Sequence, residues 1–128
     1  MTRLVLDSGG VSRLSRRRQD TAALVAVFAR DGLWPPLVPS IVLAESLSGR
    51  PHTDALVNRL LKTCNVIEEL PERLARRAAA LRALAGRGSA VDAVVVATAE
   101  PDGAVLGGDL EDLRSLAAHA TGVVIHRA

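Results

Sequence analysis

Five short apolar segments, separated by stretches with helical periodicity, constrain the fold of this chain more than any other feature. The segments are residues 3–7, 37–38, 65–70, 104–106 and 122–126. Strands that alternate with helices favour a parallel sheet with helices on both of its faces, so the sequence predicts an α/β fold. Because a chain of 128 residues is long enough to enclose one core, we expect a single domain over residues 1–128.

Helical periodicity fills the intervals between the predicted strands. The predicted helices are residues 11–18, 20–32, 41–49, 55–63, 71–86, 90–100 and 109–120. Ser40 and Ser89 stand where an N-cap is expected, since a serine hydroxyl accepts hydrogen bonds from the main-chain amides of a first turn. Ser89 and Asp92 also match the S-x-x-D pattern of a capping box.

The composition argues against several classes of function. Aromatic residues make up 2% of the chain, so we do not expect RNA to be recognised by stacking on aromatic faces. Cys64 is the only cysteine, which excludes an internal disulfide and a thiolate metal cage and is typical of the cytoplasm. Because no apolar run approaches membrane-spanning length, we expect no membrane contact. The net charge of +2 is compatible with RNA binding but too small to indicate it.

Four acidic residues can each be explained either by local structure or by a shared function. Asp7 and Asp109 follow predicted strands, Asp92 begins an apolar helix, and Glu45 lies in a helix among apolar neighbours. Each has a local explanation, since the three aspartates can cap helices and Glu45 can be solvated; for Asp109, Asp112 would complete a capping box. However, the carboxyl ends of parallel strands meet at one edge of a sheet. The three aspartates are therefore expected to converge, which favours a shared site.

Convergent carboxylates point to a bound cation. Two of them about 4 Å apart repel by roughly 4 kcal/mol at an effective dielectric of ~20, so the group takes up either protons or a metal ion. Hard oxygen ligands select Mg²⁺ or Mn²⁺. We predict metal ligation by Asp7, Asp92 and Asp109, with Glu45 and Asp112 as further candidates. The chemistry indicated is metal-assisted phosphodiester cleavage by an activated water.

Four segments of the chain together resemble the PIN-domain family, and more narrowly its VapC-like toxin ribonucleases. They are LVLD at 4–7, PSIVLAESL at 39–47, SAVDAVVVATA at 89–99 and AVLGGDLEDL at 104–113. The resemblance implies a three-layer α/β/α fold with a central, mainly parallel five-stranded sheet. It also implies an endoribonuclease dependent on Mg²⁺ or Mn²⁺, with catalytic acids at Asp7, Glu45, Asp92 and Asp109. As partners it implies structured RNA as substrate, a second copy of the chain in a homodimer, and a small antitoxin protein.

Two glycines depart from the pattern of that family. Members often carry a hydroxyl or amide residue at the position of Gly9, and Thr or Ser at the position of Gly107. Losing groups that orient metal ligands commonly lowers metal affinity or activity about 10- to 100-fold. Ser8 and Thr98 are the hydroxyls that we consider for compensation. The departures favour an alternative function, a weakly active or inactive PIN-like module that binds RNA or a protein partner.

Basic residues near the predicted acidic edge are candidates for binding RNA phosphates. Arg13 and Arg16 belong to a basic run soon after the first acid, for which a solvated helix face is the stronger alternative. Arg87 is the better single candidate, because its loop precedes Asp92 and should overlook the same edge. The scattered histidines are expected at the surface; they are His52, His119 and His126.

Overall fold

One parallel sheet contains all five strands of the computed structural model, which describes residues 2–16 and 18–128. The strands are β1 (Leu4–Leu6), β2 (Leu37–Pro39), β3 (Asn65–Ile67), β4 (Ala104–Gly107) and β5 (Val124–Arg127). Their order across the sheet is β3-β2-β1-β4-β5, and each neighbouring pair is parallel. Helices flank the sheet, so the predicted three-layer α/β/α fold is confirmed, and the sheet is wholly rather than mainly parallel.

Each predicted helix is present, with different ends. The helices are α1 (Ser8–Ser15), α2 (Thr21–Arg30), α3 (Ser40–Ser46), α4 (Ala55–Leu61), α5 (Glu72–Ala85), α6 (Ala90–Ala99) and α7 (Leu110–Ala117). The largest difference is at α1, which begins three residues before the predicted start at Val11. It begins earlier because the Asp7 carboxylate caps it, accepting a hydrogen bond from the amide of Gly10 at 2.8 Å.

The two central strands are the most deeply buried part of the sheet. Every residue of β1 and β4 is buried, and they pair in the register Leu4 with Ala104, Val5 with Val105 and Leu6 with Leu106. α6 covers them with a segment buried from Ala93 to Ala99, as its wholly apolar sequence predicts. The strand order reverses between β1 and β4. Ligands of open α/β sheets bind at the carboxyl ends of the strands beside such a reversal.

The predicted N-cap at Ser40 is wrong. Pro39 occupies the cap position of α3, and the Ser40 hydroxyl instead donates a hydrogen bond to the main-chain oxygen of Glu68 at 3.2 Å. β3 ends at Ile67 rather than at the predicted residue 70, because residues 68–70 run exposed beyond the sheet. His126, expected at the surface, is half-buried in β5. Its Nε2 is buried with no hydrogen-bond partner among the described residues, and its ring meets the ring of Phe28 edge-on.

None of the helices in the described part of the chain has both the length and the apolar character that crossing a membrane requires.

Candidate metal centre

Three aspartates from two helix N-termini converge beside the carboxyl ends of β1 and β4. One carboxylate oxygen from each of Asp92, Asp109 and Asp112 lies within 4.8 Å of the other two. Asp92 belongs to the first turn of α6, whereas Asp109 and Asp112 flank the first turn of α7. The structure therefore brings together two of the three predicted metal ligands and one of the further candidates. These three side chains, here called the aspartate triad, could hold a metal ion.

Asp109 has no local structural role in the triad. It occupies the N-cap position of α7, but its side chain makes no capping hydrogen bond, so the predicted capping box with Asp112 is wrong. Loss of hydration and the neighbouring Asp112 carboxyl raise the pKa of Asp109 above its ordinary value, against the lowering effect of the Asp112 amide. A nearby cation would relieve the repulsion between these carboxylates.

Asp92 combines a local role with its place in the triad. The Ser89 hydroxyl accepts a hydrogen bond from the Asp92 amide at 3.0 Å, and Asp92 Oδ2 accepts one from the Ser89 amide at 3.3 Å. The predicted capping box is confirmed. Because a carboxylate offers about four lone-pair sites, capping leaves acceptor capacity for a metal ion.

Asp7 lies outside the triad and faces it. Its side chain is 5% exposed, and its two oxygens accept hydrogen bonds from the amides of Gly10 at 2.8 Å and Gly108 at 3.2 Å. Burial raises the pKa of Asp7 most, and repulsion from Asp92 raises it further, against the lowering effect of the two amides. Asp7 therefore caps α1, as its local explanation predicts, and adds negative charge next to the triad.

Glu45 contributes a further charge from α3. Its side chain is exposed, and partial loss of hydration raises its pKa, followed by repulsion from Asp92 and Asp7. The charges that act on Glu45 are therefore those of the other candidate site residues. Glu45 can stand in this apolar helix because α3 buries Val42 in the core and has another side toward the acids.

The two glycines that depart from the PIN pattern are required by close packing. A Cβ at Gly107 would lie 2.7 Å from Asp7 Oδ2 and would also overlap the side chain of Leu113; a Cβ at Gly9 would lie 2.5 Å from the amide nitrogen of Gly108. Because neither glycine has a Cβ, the Gly108 amide can reach the Asp7 carboxylate. Main-chain amides therefore orient Asp7 where the family often places hydroxyl or amide side chains.

The two hydroxyls considered for compensation lie elsewhere. The Thr98 hydroxyl is buried and donates a hydrogen bond to the main-chain oxygen of Val94 at 2.7 Å, so it satisfies its own helix and not the acids. Ser8 lines a cavity that it shares with Glu45.

Arg87 reaches the triad by an ion pair that local sequence does not reveal. Its Nε lies 2.6 Å from Asp112 Oδ1, and its Nη1 lies 2.7 Å from Glu111 Oε1. The loop of Arg87 overlooks the predicted edge, but the guanidinium bonds acids of this chain. The sequence shows only a basic residue near acids that are expected to converge. It does not identify the two partners of Arg87, because they lie 24 and 25 residues away in the chain.

The other two predicted RNA-binding residues lie near the junction of α1 and α2. Arg13 is 11% exposed at its side chain, pairs with Asp20 at 2.9 Å and donates to the Thr21 hydroxyl at 3.0 Å. It therefore ties α1 to α2 and presents little charge to solvent. Arg16 is exposed and lines an apolar groove of about 400 Å³ together with Arg18 and Arg59.

No family model matches the chain, and no curated protein matches it significantly.

Proposed function

We propose that this protein is a PIN-like endoribonuclease that depends on Mg²⁺ or Mn²⁺ and acts in the cytoplasm as the toxin of a toxin–antitoxin pair. The observation that carries the proposal is the aspartate triad, whose carboxylate oxygens lie within 4.8 Å of one another. Its member Asp109 caps no helix although it stands at a cap position. A side chain without a local role, held among like charges, is a candidate for function.

The donor set suits a hard divalent cation. The triad offers three carboxylate oxygens and no sulfur or imidazole, which favours Mg²⁺ or Mn²⁺ over Zn²⁺. Asp7 and Glu45 add negative charge that raises their own pKa values. When bound, such an ion would activate water and neutralise charge on a departing phosphodiester oxygen.

The protein's own residues then have separate tasks. Asp92, Asp109 and Asp112 would hold the cation. Asp7, oriented by two main-chain amides, would add negative potential near it. Glu45 is exposed and has a raised pKa, which makes it the side chain best placed to accept the proton of the attacking water.

RNA as substrate and an antitoxin as partner come from the resemblance to VapC-like proteins over four segments of the chain. Three arginines, Arg16, Arg18 and Arg59, add positive charge around one groove, as an RNA-binding surface requires. Association of two copies into a homodimer is proposed on the same resemblance.

A second candidate function is a PIN-like module that binds RNA or a protein partner without cleaving. The observation that favours it is the ion pair of Arg87 with Asp112 and Glu111, which already neutralises part of the acidic edge. The glycines no longer favour it, because close packing accounts for them.

Cleavage of total cellular RNA and of synthetic hairpin RNAs tests the proposal. We expect Mn²⁺-dependent fragments that disappear with a chelator and fall by ~100-fold or more in Asp109→Asn, since losing a metal ligand costs at least as much as losing the group that orients it. Asp109 is the best position for this test because its carboxylate caps no helix. Asp54→Asn is the matched control, since it removes a buried carboxylate outside the triad.

Cleavage that persists in chelator, or at the wild-type rate in Asp109→Asn, would contradict the proposal. RNA that is retained on a native gel without being cut in Mn²⁺ would establish the binding module instead.

A further inference from the structure

A cavity lined mainly by hydroxyl groups lies beside the acidic edge. Its volume is about 250 Å³, and its lining residues are Ser8, Val11, Ser12, Ser15, Glu45, Ser46 and Val57. Ser8 directly follows Asp7 in the chain, and the Glu45 carboxyl that lines the cavity is close enough to Asp92 and Asp7 for their charges to raise its pKa. The cavity therefore lies on the side of the molecule where the acids gather.

The lining chemistry defines the kind of ligand. Each of the four lining serines carries a hydroxyl that can donate and accept a hydrogen bond, although that of Ser15 already donates to the main-chain oxygen of Ser12 at 3.1 Å. Among the described residues, the cavity wall carries no lysine or arginine. A phosphate group is better held by cations, so the cavity suits a neutral polar group. Pockets for drug-sized molecules span roughly 300–1,000 Å³. The smaller volume here suits one planar ring system.

The Ser46 hydroxyl gives an independent indication of a missing partner. Its oxygen is buried and has no hydrogen-bond partner in the described chain. A buried hydroxyl without a partner destabilises the folded protein. Because Ser46 is among the residues that line the cavity, a ligand held there could supply the partner that this hydroxyl lacks.

We propose that this cavity holds a single nucleobase of the RNA, next to the phosphodiester that is cut, and so sets a base preference at that position. The proposal rests on the proposed function for the location of the phosphodiester. The serine hydroxyls hydrogen-bond the Watson–Crick edge of an unstacked base. The Glu45 carboxylate at the border accepts hydrogen bonds, so it favours a base with an exocyclic amino group over uracil.

Sequencing the fragment ends from a random-sequence RNA pool tests the proposal. In the wild-type protein we expect about a 5-fold preference at one position beside the cut, the effect of one or two neutral hydrogen bonds. Ser46→Ala should reduce this preference to about 2-fold or less. Its melting temperature should stay equal or rise, because the variant removes an unsatisfied hydroxyl.

Two further variants separate the cavity from general effects. Ser12→Val places extra methyl groups in the cavity and should weaken the same preference. Ser115→Ala is the matched control, since its hydroxyl donates to the main-chain oxygen of Glu111 at 2.9 Å on α7 and does not line the cavity. An unchanged preference in both Ser46→Ala and Ser12→Val would overturn the proposal.

A binding measurement distinguishes this proposal from the proposed function. Fluorescence anisotropy of short labelled RNAs that differ at one base is measured with the Asp109→Asn protein and with Asp109→Asn/Ser46→Ala. Base-selective binding that depends on Ser46, together with no metal-dependent cleavage by the wild-type protein, would support the cavity and contradict the nuclease. Metal-dependent cleavage without a base preference would retain the nuclease and eliminate the cavity proposal.

Discussion

Asp7 and Asp54 expose almost equally little surface, 5% and 6%, but Asp7 lies deeper in the protein, and the pKa values of the two carboxyls move in opposite directions. Asp54 accepts three hydrogen bonds at 2.9 Å, from the amides of Ser48 and Gly49 and from the Ser48 hydroxyl. These bonds lower its pKa. Asp7 accepts two hydrogen bonds from amides, but burial and the nearby Asp92 carboxylate outweigh them and raise its pKa.

The difference shows that a small exposed surface alone does not mark a functional carboxylate. Asp54 stabilises a loop, and its negative charge is compensated by donors within that loop. Asp7 lies beside Asp92 and Glu45, where negative charge exceeds the donors that compensate it. Such an excess is expected at a site that binds a cation.

The largest expected effect is on the rate of RNA cleavage, when the packing around Asp7 is disturbed. Gly107→Ser restores a hydroxyl that PIN domains often carry, but its Cβ would lie 2.7 Å from Asp7 Oδ2. We expect the rate of RNA cleavage to fall about 10- to 100-fold, because Asp7 loses its orientation. The measurement is single-turnover cleavage in Mn²⁺.

Gly108→Ala is the matched control for that variant. A Cβ at Gly108 meets only the Cα of Gly9, at 3.4 Å. The control should cleave at close to the wild-type rate. A faster rate in Gly107→Ser would show that the missing hydroxyl, and not the close packing, limits this site.

The next effect concerns the response of folding stability to a divalent cation. Mn²⁺ at 100 times its dissociation constant should raise the free energy of unfolding by about 2.7 kcal/mol. The gain should be present in the wild-type protein and in Asp54→Asn, and absent in Asp109→Asn. Thermal unfolding with and without Mn²⁺ measures it, and equal gains in all three proteins would place the cation outside the triad.

Removing the compensated carboxylate should damage stability and spare function. Asp54→Asn replaces one acceptor oxygen by an amide group, which leaves a donor of the 48–54 loop unpaired. We expect the melting temperature to fall by several degrees while Mn²⁺-dependent cleavage per folded molecule is retained. Specific activity and thermal unfolding, measured on the same sample, separate the two. A loss of specific activity in a fully folded sample would contradict the purely structural role of Asp54.

The smallest effect is a difference in pH dependence without metal. Asp109 has a raised pKa, so its ionisation destabilises the folded protein as pH rises from the ordinary value of 3.8 through the folded pKa. Asp109→Asn should therefore be more stable than wild type at neutral pH, by less than ~1 kcal/mol because solvent screens the charge. The difference should vanish below pH 3.8.

The pKa of Asp54 is shifted in the opposite direction, which provides the comparison for the pH experiment. Its lowered pKa stabilises the folded protein above the ordinary value of 3.8, and this stabilisation is lost as pH falls through the folded pKa. Urea unfolding across pH should therefore show that Asp109→Asn gains stability toward neutral pH while Asp54→Asn loses it. The same trend in both variants would mean that the two carboxylates do not differ electrostatically.

Much of the fold was predictable because its signals are local. The capping box of Ser89 and Asp92 and the cap of α1 by Asp7 each link residues three apart, and both are present. The capping box at Asp109 was predicted from the same spacing and is wrong. Spacing alone cannot distinguish these cases, because the direction of the Asp109 side chain depends on where α6 brings Asp92.

The candidate site was predictable only in part. Convergence of Asp92 and Asp109 followed from the rule for strand ends, but the role of Arg87 did not. Its ion pairs depend on how the loop before α6 meets α7, and nothing in the neighbouring sequence specifies that meeting.

The sequence by itself determined the alternation of strands and helices, the parallel sheet and two of the helix caps. These features depend on the order of apolar residues and on hydrogen bonds between positions a few residues apart. The tertiary structure alone decided which acids form the triad and why Gly9 and Gly107 have no side chain. The triad depends on how the start of α6 meets the start of α7. The glycines depend on the close approach of α1 to the end of β4, where the Gly108 amide reaches Asp7 across about one hundred residues of chain.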